Sequence, residues 1–215
     1  MDFDKDKFKM TLHYIINKCG FKNTVGRTVL HKLLYFSDFN YFEKYNVSIT
    51  NETYTKKERG PVPIHFEEAI AELIEENKVR PGKRRLPCGK VMNRYFSLKE
   101  PEIDLKEEEL DVINQVIKDL SHLNGKQIGE YSLSDEPVKQ TEDNEIVEYN
   151  LVSSRELKNK NKVFVKISWT ISHMNIKYIH INKLSNFIYF FNLFYFLDFF
   201  LILMRTYLYI VLHKL

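Results

Sequence analysis

The stretch that decides the fold reads LHKLLYFSDFNYF and covers residues 30–42. Apolar and aromatic side chains occupy nearly every face of the helix that this spacing predicts: Leu30, Leu33, Leu34, Tyr35, Phe36, Phe39, Tyr41 and Phe42. A helix that is apolar all round must be covered on all sides, by its own domain or by a partner. We therefore predict a central helix over residues 25–45, with the other elements packed around it.

Further helices are predicted on both sides of this stretch. An amphipathic helix spans residues 8–19 and stops at Gly20. Another opens at Pro63 and buries Phe66, Ile70 and Leu73, while its glutamates face outward. Asp104 starts a helix that runs to Gly125, and a short helix covers residues 126–132.

The β structure is expected to be small. Residues 49–57 favour a short strand that breaks at residues 59–63. Residues 78–99 predict a hairpin with turn signals at Pro81-Gly82 and Cys88-Gly89, and residues 145–152 alternate like a last strand. The predicted fold class is α+β: a mostly helical domain around a central apolar helix, with a small antiparallel sheet of about three strands.

Composition divides the chain near Lys158. Residues 1–157 hold 24 Lys+Arg and 28 Asp+Glu, a net charge of −4, whereas residues 158–215 hold 8 and 1, a net charge of +7. The second part has no Gly, Pro, Ala or Glu. We predict one domain over residues 1–157. For residues 158–215 three interpretations stay open. They are an accessory tail, a frameshifted or decayed end, and a weak membrane anchor through residues 187–212.

No motif for catalysis, cofactor or metal binding is recognisable. His13, His31, His65 and His122 form no ligand pair of helical spacing, and phosphate-binding loops and the nucleophile elbow are missing from the sequence. The two cysteines, Cys19 and Cys88, have no paired spacing. We therefore expect a protein that is not an enzyme, binds no cofactor or metal, and works in the cytoplasm. The alternative location is a C-terminal membrane anchor with the domain in the cytosol.

Residues 78–94 concentrate positive charge in the predicted hairpin. Such a hairpin after a helix is typical of a winged DNA-binding module, which makes a DNA-binding transcriptional regulator the alternative function. No basic recognition helix accompanies the hairpin. We expect only weak or non-specific binding to nucleic acid, and a soluble, edge-protecting hairpin is the simpler interpretation.

Several segments together resemble a known family. KLLYFSDF at residues 32–39 is followed by Ile49-Thr50, Tyr54 and Gly60-Pro61-Val62, and later by GKQIGEYS at residues 125–132 and DNEIVEY at residues 143–149. In order and spacing they resemble the SocA-like antitoxin, or Panacea, domain over roughly residues 5–155. The resemblance implies an antitoxin that binds a cognate toxin protein, encoded by an adjacent gene. One family member instead delivers its toxin to a protease, and both modes stay open.

The resemblance also suggests where a toxin binds. We predict a partner-binding patch made of Tyr35, Asp38, Tyr54 and the turn Gly60-Pro61-Val62. A simpler interpretation of the same residues is structural. In that interpretation the turn ends a strand and opens a helix, and the aromatic side chains fill the core.

Overall fold

The computed structural model describes residues 2–155 of the 215 residues. The predicted boundary at residue 157, the tail 158–215 and the anchor candidate 187–212 lie outside the described residues. In chain order the elements are α1 (Lys5–Cys19), α2 (Arg27–Tyr45), β1 (Tyr54–Lys57), β2 (Gly60–Pro63), α3 (Phe66–Glu75), β3 (Val79–Arg85), β4 (Val91–Ser97), α4 (Glu107–Leu120), α5 (Gly125–Leu133) and α6 (Glu136–Lys139), followed by a 3-10 turn, Tyr149–Val152.

The central helix is α2, as predicted. Leu30, Leu33, Leu34 and Phe39 are fully buried, and α1, α4, α5 and β2 all pack against the helix. The helix ends where Asn46 adopts a left-handed conformation with φ 58°. The domain therefore covers most of this apolar helix itself.

Helix α1 is amphipathic and occupies the predicted residues. The Asp4 side chain caps it by accepting a hydrogen bond from the Lys7 N–H. Gly20 follows the helix with φ −59°, a value that any residue can adopt. The reason for a glycine here is therefore steric. A Cβ at Gly20 would lie 2.6 Å from the carbonyl oxygens of Ile16 and Tyr95, so glycine lets a later strand approach the helix end.

The first β hairpin differs from the prediction. Gly60–Pro63 is not only a break, because it forms β2 and pairs antiparallel with β1 from Tyr54↔Pro63 to Lys57↔Gly60. The predicted strand at residues 145–152 is reduced to one bridge, Thr55↔Ile146, before the chain turns into the 3-10 turn. The described residues thus contain two separate two-stranded sheets instead of one sheet of about three strands.

The second hairpin, β3–β4, spans the predicted residues with one correction. Pro81 and Gly82 lie within β3, opposite Tyr95 and Arg94, and form no turn. The turn lies at residues 86–90, where Gly89 has φ 80° as the Cys88-Gly89 signal predicts. A proline is compatible with β3 because this strand is at the edge of its sheet.

The remaining helices complete an α+β fold that is mostly helical, which confirms the predicted class. Helix α4 starts three residues later than the Asp104 signal, and the Glu109 carboxylate accepts a hydrogen bond from the Lys106 N–H. Asn124 caps α5. Within residues 2–155 no helix combines the length and the apolar character that crossing a bilayer requires.

Candidate functional site

Asp38 ties the central helix to the chain that follows it. Its Oδ1 accepts the backbone N–H groups of Ile49 at 3.1 Å and Thr50 at 3.0 Å. Its Oδ2 accepts the hydroxyl groups of Thr50 and Tyr54, each at 2.7 Å. Four donors therefore surround a carboxyl group that is 1 % exposed. Burial raises the pKa of Asp38 to about 6, although the hydrogen bonds from Tyr54 and Thr50 act in the opposite direction.

Tyr35 belongs to a second polar network on α2. Its hydroxyl donates to Asp135 Oδ2 at 2.8 Å. Arg155 donates to both oxygens of the Asp135 carboxylate and, through Nη1, to Asn40 at 3.1 Å and Glu43 at 2.8 Å. Burial alone would lower the pKa of Arg155, but the hydrogen bonds and charge of Asp135 raise it. The network fixes the last described residue to the central helix.

Lys32 connects two of the sequence segments that carry the family resemblance. Its Nζ donates to the Pro61 carbonyl oxygen at 2.8 Å, and the residue is only 1 % exposed. Gly60 has φ +87°, and a Cβ there would lie 2.1 Å from Ser132 Oγ. Burial lowers the pKa of Lys32 to about 7, and the positive charge of Arg59 acts in the same direction. Lysine from α2, glycine and proline from β2, and serine from α5 thus meet in the interior.

The six predicted partner-binding residues are brought close together, but inside the domain. Tyr35, Asp38 and Tyr54 are each 0–1 % exposed, Gly60 and Pro61 are buried, and Val62 is half-buried. Within residues 2–155 the domain itself buries these positions of α2, so their burial needs no partner. A direct role of these residues in toxin binding remains a prediction. In this structure their side chains hold α2, β1 and β2 together.

Glu52 is a buried acidic residue that the sequence analysis missed. Its Oε1 accepts the Thr53 N–H at 2.7 Å and the Ile64 N–H at 3.2 Å, and lies 3.0 Å from His65 Nδ1. Burial raises the pKa of Glu52, against the opposing effect of His65. Its main partners are 12 and 13 residues away. No local spacing in the sequence signals such a contact.

Arg94 is a second residue that the sequence analysis did not single out beyond its charge. One terminal nitrogen, Nη2, donates to the carbonyl oxygens of Gly20, Phe21 and Lys22 at 2.9–3.1 Å. These carbonyl groups follow the C-terminus of α1, where a positive charge is favourable. The carbon atom of the guanidinium also lies 4.7 Å from the centre of the Phe96 ring. We call this arrangement the Arg94 clamp; it holds β4 against the end of α1.

The acidic face of α3 is neutralised inside the domain. Lys5 and Lys9 on α1 form ion pairs with Glu68, Glu72 and Glu76. Arg27 pairs with Glu67 at 3.0 Å, and Lys78 pairs with Glu76 at 2.9 Å. Hydrogen bonds from Lys78 and Lys9 lower the pKa of Glu76 to about 2. The glutamates that the sequence places on an outward face are therefore largely paired with cations.

The positive charges of the β3–β4 hairpin are not paired with acidic residues in this way. It carries six cations and no acidic residue over Val79–Ser97: Arg80, Lys83, Arg84, Arg85, Lys90 and Arg94. Arg84 donates to the Asn23 carbonyl oxygen and Arg80 lies over the Phe96 ring. Lys83, Arg85 and Lys90 are exposed and form no ion pair within residues 2–155. We call these three residues the free cations of the hairpin.

Among the grooves that residues 2–155 form, two are open to solvent and adjoin the elements described above. The larger, with a volume of about 610 Å³, lies between α2, α4, α5 and the Arg155 network. The smaller, about 460 Å³, is bounded by α3 and the inner face of the hairpin. Its walls include Ile70, Ala71 and Ile74 on one side and Pro81 and Lys83 on the other. We call the smaller one the hairpin groove.

The described residues show no arrangement typical of a catalytic centre. Residues 2–155 hold no cluster of three or more His, Cys, Asp or Glu side chains that could bind a metal ion. Burial lowers the pKa of His31 to about 3, and its ring packs edge-on against Phe66. Burial raises the pKa of Cys19 to about 12, and its thiol donates to the Ile15 carbonyl oxygen. These groups are inert members of the core.

The fold and its buried polar contacts define a small α+β domain whose distinctive sequence segments stabilise its own core. The family model described as antitoxin SocA-like, Panacea domain matches residues 30–139, which is about half of the chain. The chain belongs to this family. No curated protein and no solved structure shows a significant match.

Proposed function

We propose that this chain is the antitoxin of a toxin-antitoxin pair and that it neutralises its toxin in the cytosol by direct protein contact, without catalysis. The observation that carries the proposal is the family match over residues 30–139. The matched segment contains most of the central helix, both hairpins and the Lys32–Pro61 contact. Membership in an antitoxin family supports the role, and the exposed charged hairpin offers a surface for a protein partner.

Coexpression with the product of an adjacent gene tests the proposal. We expect the neighbouring protein alone to arrest growth, and coexpression with this chain to restore growth. The two proteins should also co-purify as a complex of defined stoichiometry. If no neighbouring protein arrests growth and nothing co-purifies, the antitoxin proposal is refuted.

The same assay distinguishes direct inhibition from delivery of the toxin to a protease. Direct inhibition predicts that rescue persists in a host that lacks its ATP-dependent proteases and that toxin levels stay constant. An adaptor predicts that rescue is lost in that host and that the toxin disappears in the normal host. We propose direct inhibition, since a stable complex needs no further component.

A DNA-binding regulator is the second candidate because the hairpin carries six cations and no acidic residue. The hairpin alone offers few phosphate contacts, and Lys5, Lys7 and Lys9 of α1 already pair with glutamates, so we expect only non-specific attraction. We expect duplex DNA to bind no more tightly than about 10⁻⁵ M at physiological salt. Fluorescence anisotropy with a labelled duplex measures this affinity. Nanomolar, sequence-selective binding that is lost in Arg84→Ala would favour the regulator.

A further inference from the structure

We propose that the β3–β4 hairpin and the hairpin groove form the docking surface for the toxin, and that they bind an acidic segment of the toxin which carries an apolar side chain. This inference rests on the proposed function and adds the surface and the chemistry of the partner. Neither the family match nor the buried segments that carry the resemblance identify such a surface.

The charge distribution indicates an acidic partner. Beside the hairpin groove, lysines of α1 form ion pairs with glutamates at and after α3, so these charges are compensated within the domain. The free cations Lys83, Arg85 and Lys90 stand apart because they have no acidic neighbour on the hairpin. Three uncompensated charges close together attract an acidic segment and repel a basic one, which supplies both affinity and selectivity.

The shape of the groove indicates an apolar anchor between the charges. Ile70, Ala71 and Ile74 form the α3 wall, and Pro81 and Tyr95 belong to the hairpin wall. Ile74 is half-buried and Ala71 is exposed, so the wall is accessible. A volume of about 460 Å³ is ample for one or two apolar side chains. Burying an aliphatic or aromatic side chain there removes apolar surface from water and so favours binding.

The same features disfavour nucleic acid as the occupant. A phosphate backbone gains nothing from the apolar wall of α3. An acidic protein segment can place its apolar residue in the groove and its carboxylates on the hairpin. The observations therefore favour a protein segment.

The docking surface is held in place before binding. The Arg94 clamp fixes β4 to the end of α1, and Arg84 donates to the Asn23 carbonyl oxygen at 3.0 Å. These contacts attach the hairpin to the segment between α1 and α2. A surface that is already ordered loses less conformational entropy when a partner binds.

The test uses variants of the full chain with the protein encoded by the adjacent gene. Lys83→Glu combined with Arg85→Glu reverses two free cations. Lys118→Glu combined with Lys126→Glu makes the same change of charge on exposed positions of α4 and α5 and serves as the control. We expect the hairpin pair to weaken toxin binding about ten-fold or more and to abolish rescue, because like charges then face each other. The control pair should bind and rescue like wild type.

A third variant addresses the groove separately. Ala71→Glu places a charged side chain in the apolar wall at an exposed helical position that tolerates glutamate. We expect it to weaken binding about ten-fold with an unchanged melting temperature. If the charge reversal lowers the melting temperature, the milder pair Lys83→Gln with Arg85→Gln is used in its place. For this pair we expect toxin binding to weaken about three-fold.

The outcomes separate the two levels of the proposal. If wild type rescues growth and the hairpin and groove variants do so equally well, the docking surface is wrong while the antitoxin function stands. If wild type does not rescue growth, the function fails and the docking inference fails with it. If a labelled 20-base-pair duplex binds wild type at nanomolar concentration and not the hairpin pair, the hairpin serves nucleic acid and the inference is overturned.

Discussion

Replacing Arg94 should destabilise the whole domain, because the Arg94 clamp joins the hairpin to the end of α1. The most informative change is Arg94→Met, since methionine keeps an apolar stem of similar length and removes every hydrogen bond of the guanidinium. Any loss of stability in this variant then reflects the polar contacts and not the packing of the stem.

The magnitude follows from the contacts. Nη2 carries two N–H groups for three carbonyl oxygens, so the clamp counts as two charge-assisted hydrogen bonds. Each contributes about 1.5–3 kcal/mol. The Arg94 Nε is buried without a partner, and its removal returns about 1–2 kcal/mol. The net loss in the free energy of unfolding is about 2–4 kcal/mol.

The assay is thermal and urea unfolding followed by circular dichroism. At about 2–4 °C per kcal/mol for a chain of this size, Arg94→Met should lower the melting temperature by about 10 °C. Arg94→Lys should restore only part of the loss, because an ammonium group cannot reproduce the planar fork of the guanidinium. Arg80→Met is the control, since Arg80 also lies over the Phe96 ring but is exposed.

The reasoning fails if Arg94→Met melts within about 2 °C of wild type, a shift that corresponds to less than 1 kcal/mol. Water would then satisfy the carbonyl groups of Gly20, Phe21 and Lys22 as well as the guanidinium does. The hairpin would also have to be held by other contacts, such as the Arg84–Asn23 hydrogen bond.

Three other expectations concern the interior and the chain end. Gly60→Ala should lower the free energy of unfolding by about 2–4 kcal/mol, because residue 60 has a positive φ and the new Cβ would clash with Ser132. Adding Ser132→Ala should recover only the part of this loss that the clash causes. Full recovery of stability would contradict a strained backbone at residue 60. The Asp38 carboxyl has a pKa of about 6 when folded against 3.8 ordinarily, a difference of 2.2 units, so the folded state binds more protons between these values and stability falls as pH rises from 4 to 6. Relative to Asp38→Asn, wild type should lose about 3 kcal/mol from pH 4 to pH 7, and parallel pH profiles would sink this assignment. Truncation after Arg155 should leave cooperative melting unchanged. Removing Arg155 as well should lower the melting temperature. If the chain that ends at Arg155 is unfolded, later residues are part of the domain.

The sequence predicts five of the six helices in residues 2–155, because each of these five carries its own repeating apolar pattern. The short α6 has no such pattern, and the predicted helix start at Pro63 is wrong, since Pro63 ends β2 and α3 begins at Phe66. The central helix is recognisable from residues 30–42 alone, since so many large side chains can only be buried together. The β3–β4 hairpin is also recognisable, although Pro81-Gly82 is misleading. That dipeptide signals a turn locally but lies at a sheet edge, where proline costs no hydrogen bond.

The candidate site could not be predicted to the same degree, because it depends on contacts between distant residues. Asp38, Lys32 and Tyr35 are chemically conspicuous in the sequence, yet their burial is decided by partners 12 to 100 residues away. The free cations of the hairpin stand out only once the lysines of α1 are seen to pair with the glutamates of α3. Charge in the sequence is visible, but its compensation in space is not.

The Arg155 network also has a consequence for the order of events during synthesis. Arg155 reaches Asn40 and Glu43 across 115 and 112 residues of chain. At about 5–20 residues per second, the ribosome needs roughly 6–22 s to make the intervening chain. Throughout that interval Asn40 and Glu43 lack their Arg155 partner. The groove beside α2 also lacks its Arg155 wall. The nascent domain therefore forms the Arg155 contacts only after residue 155 has been synthesised.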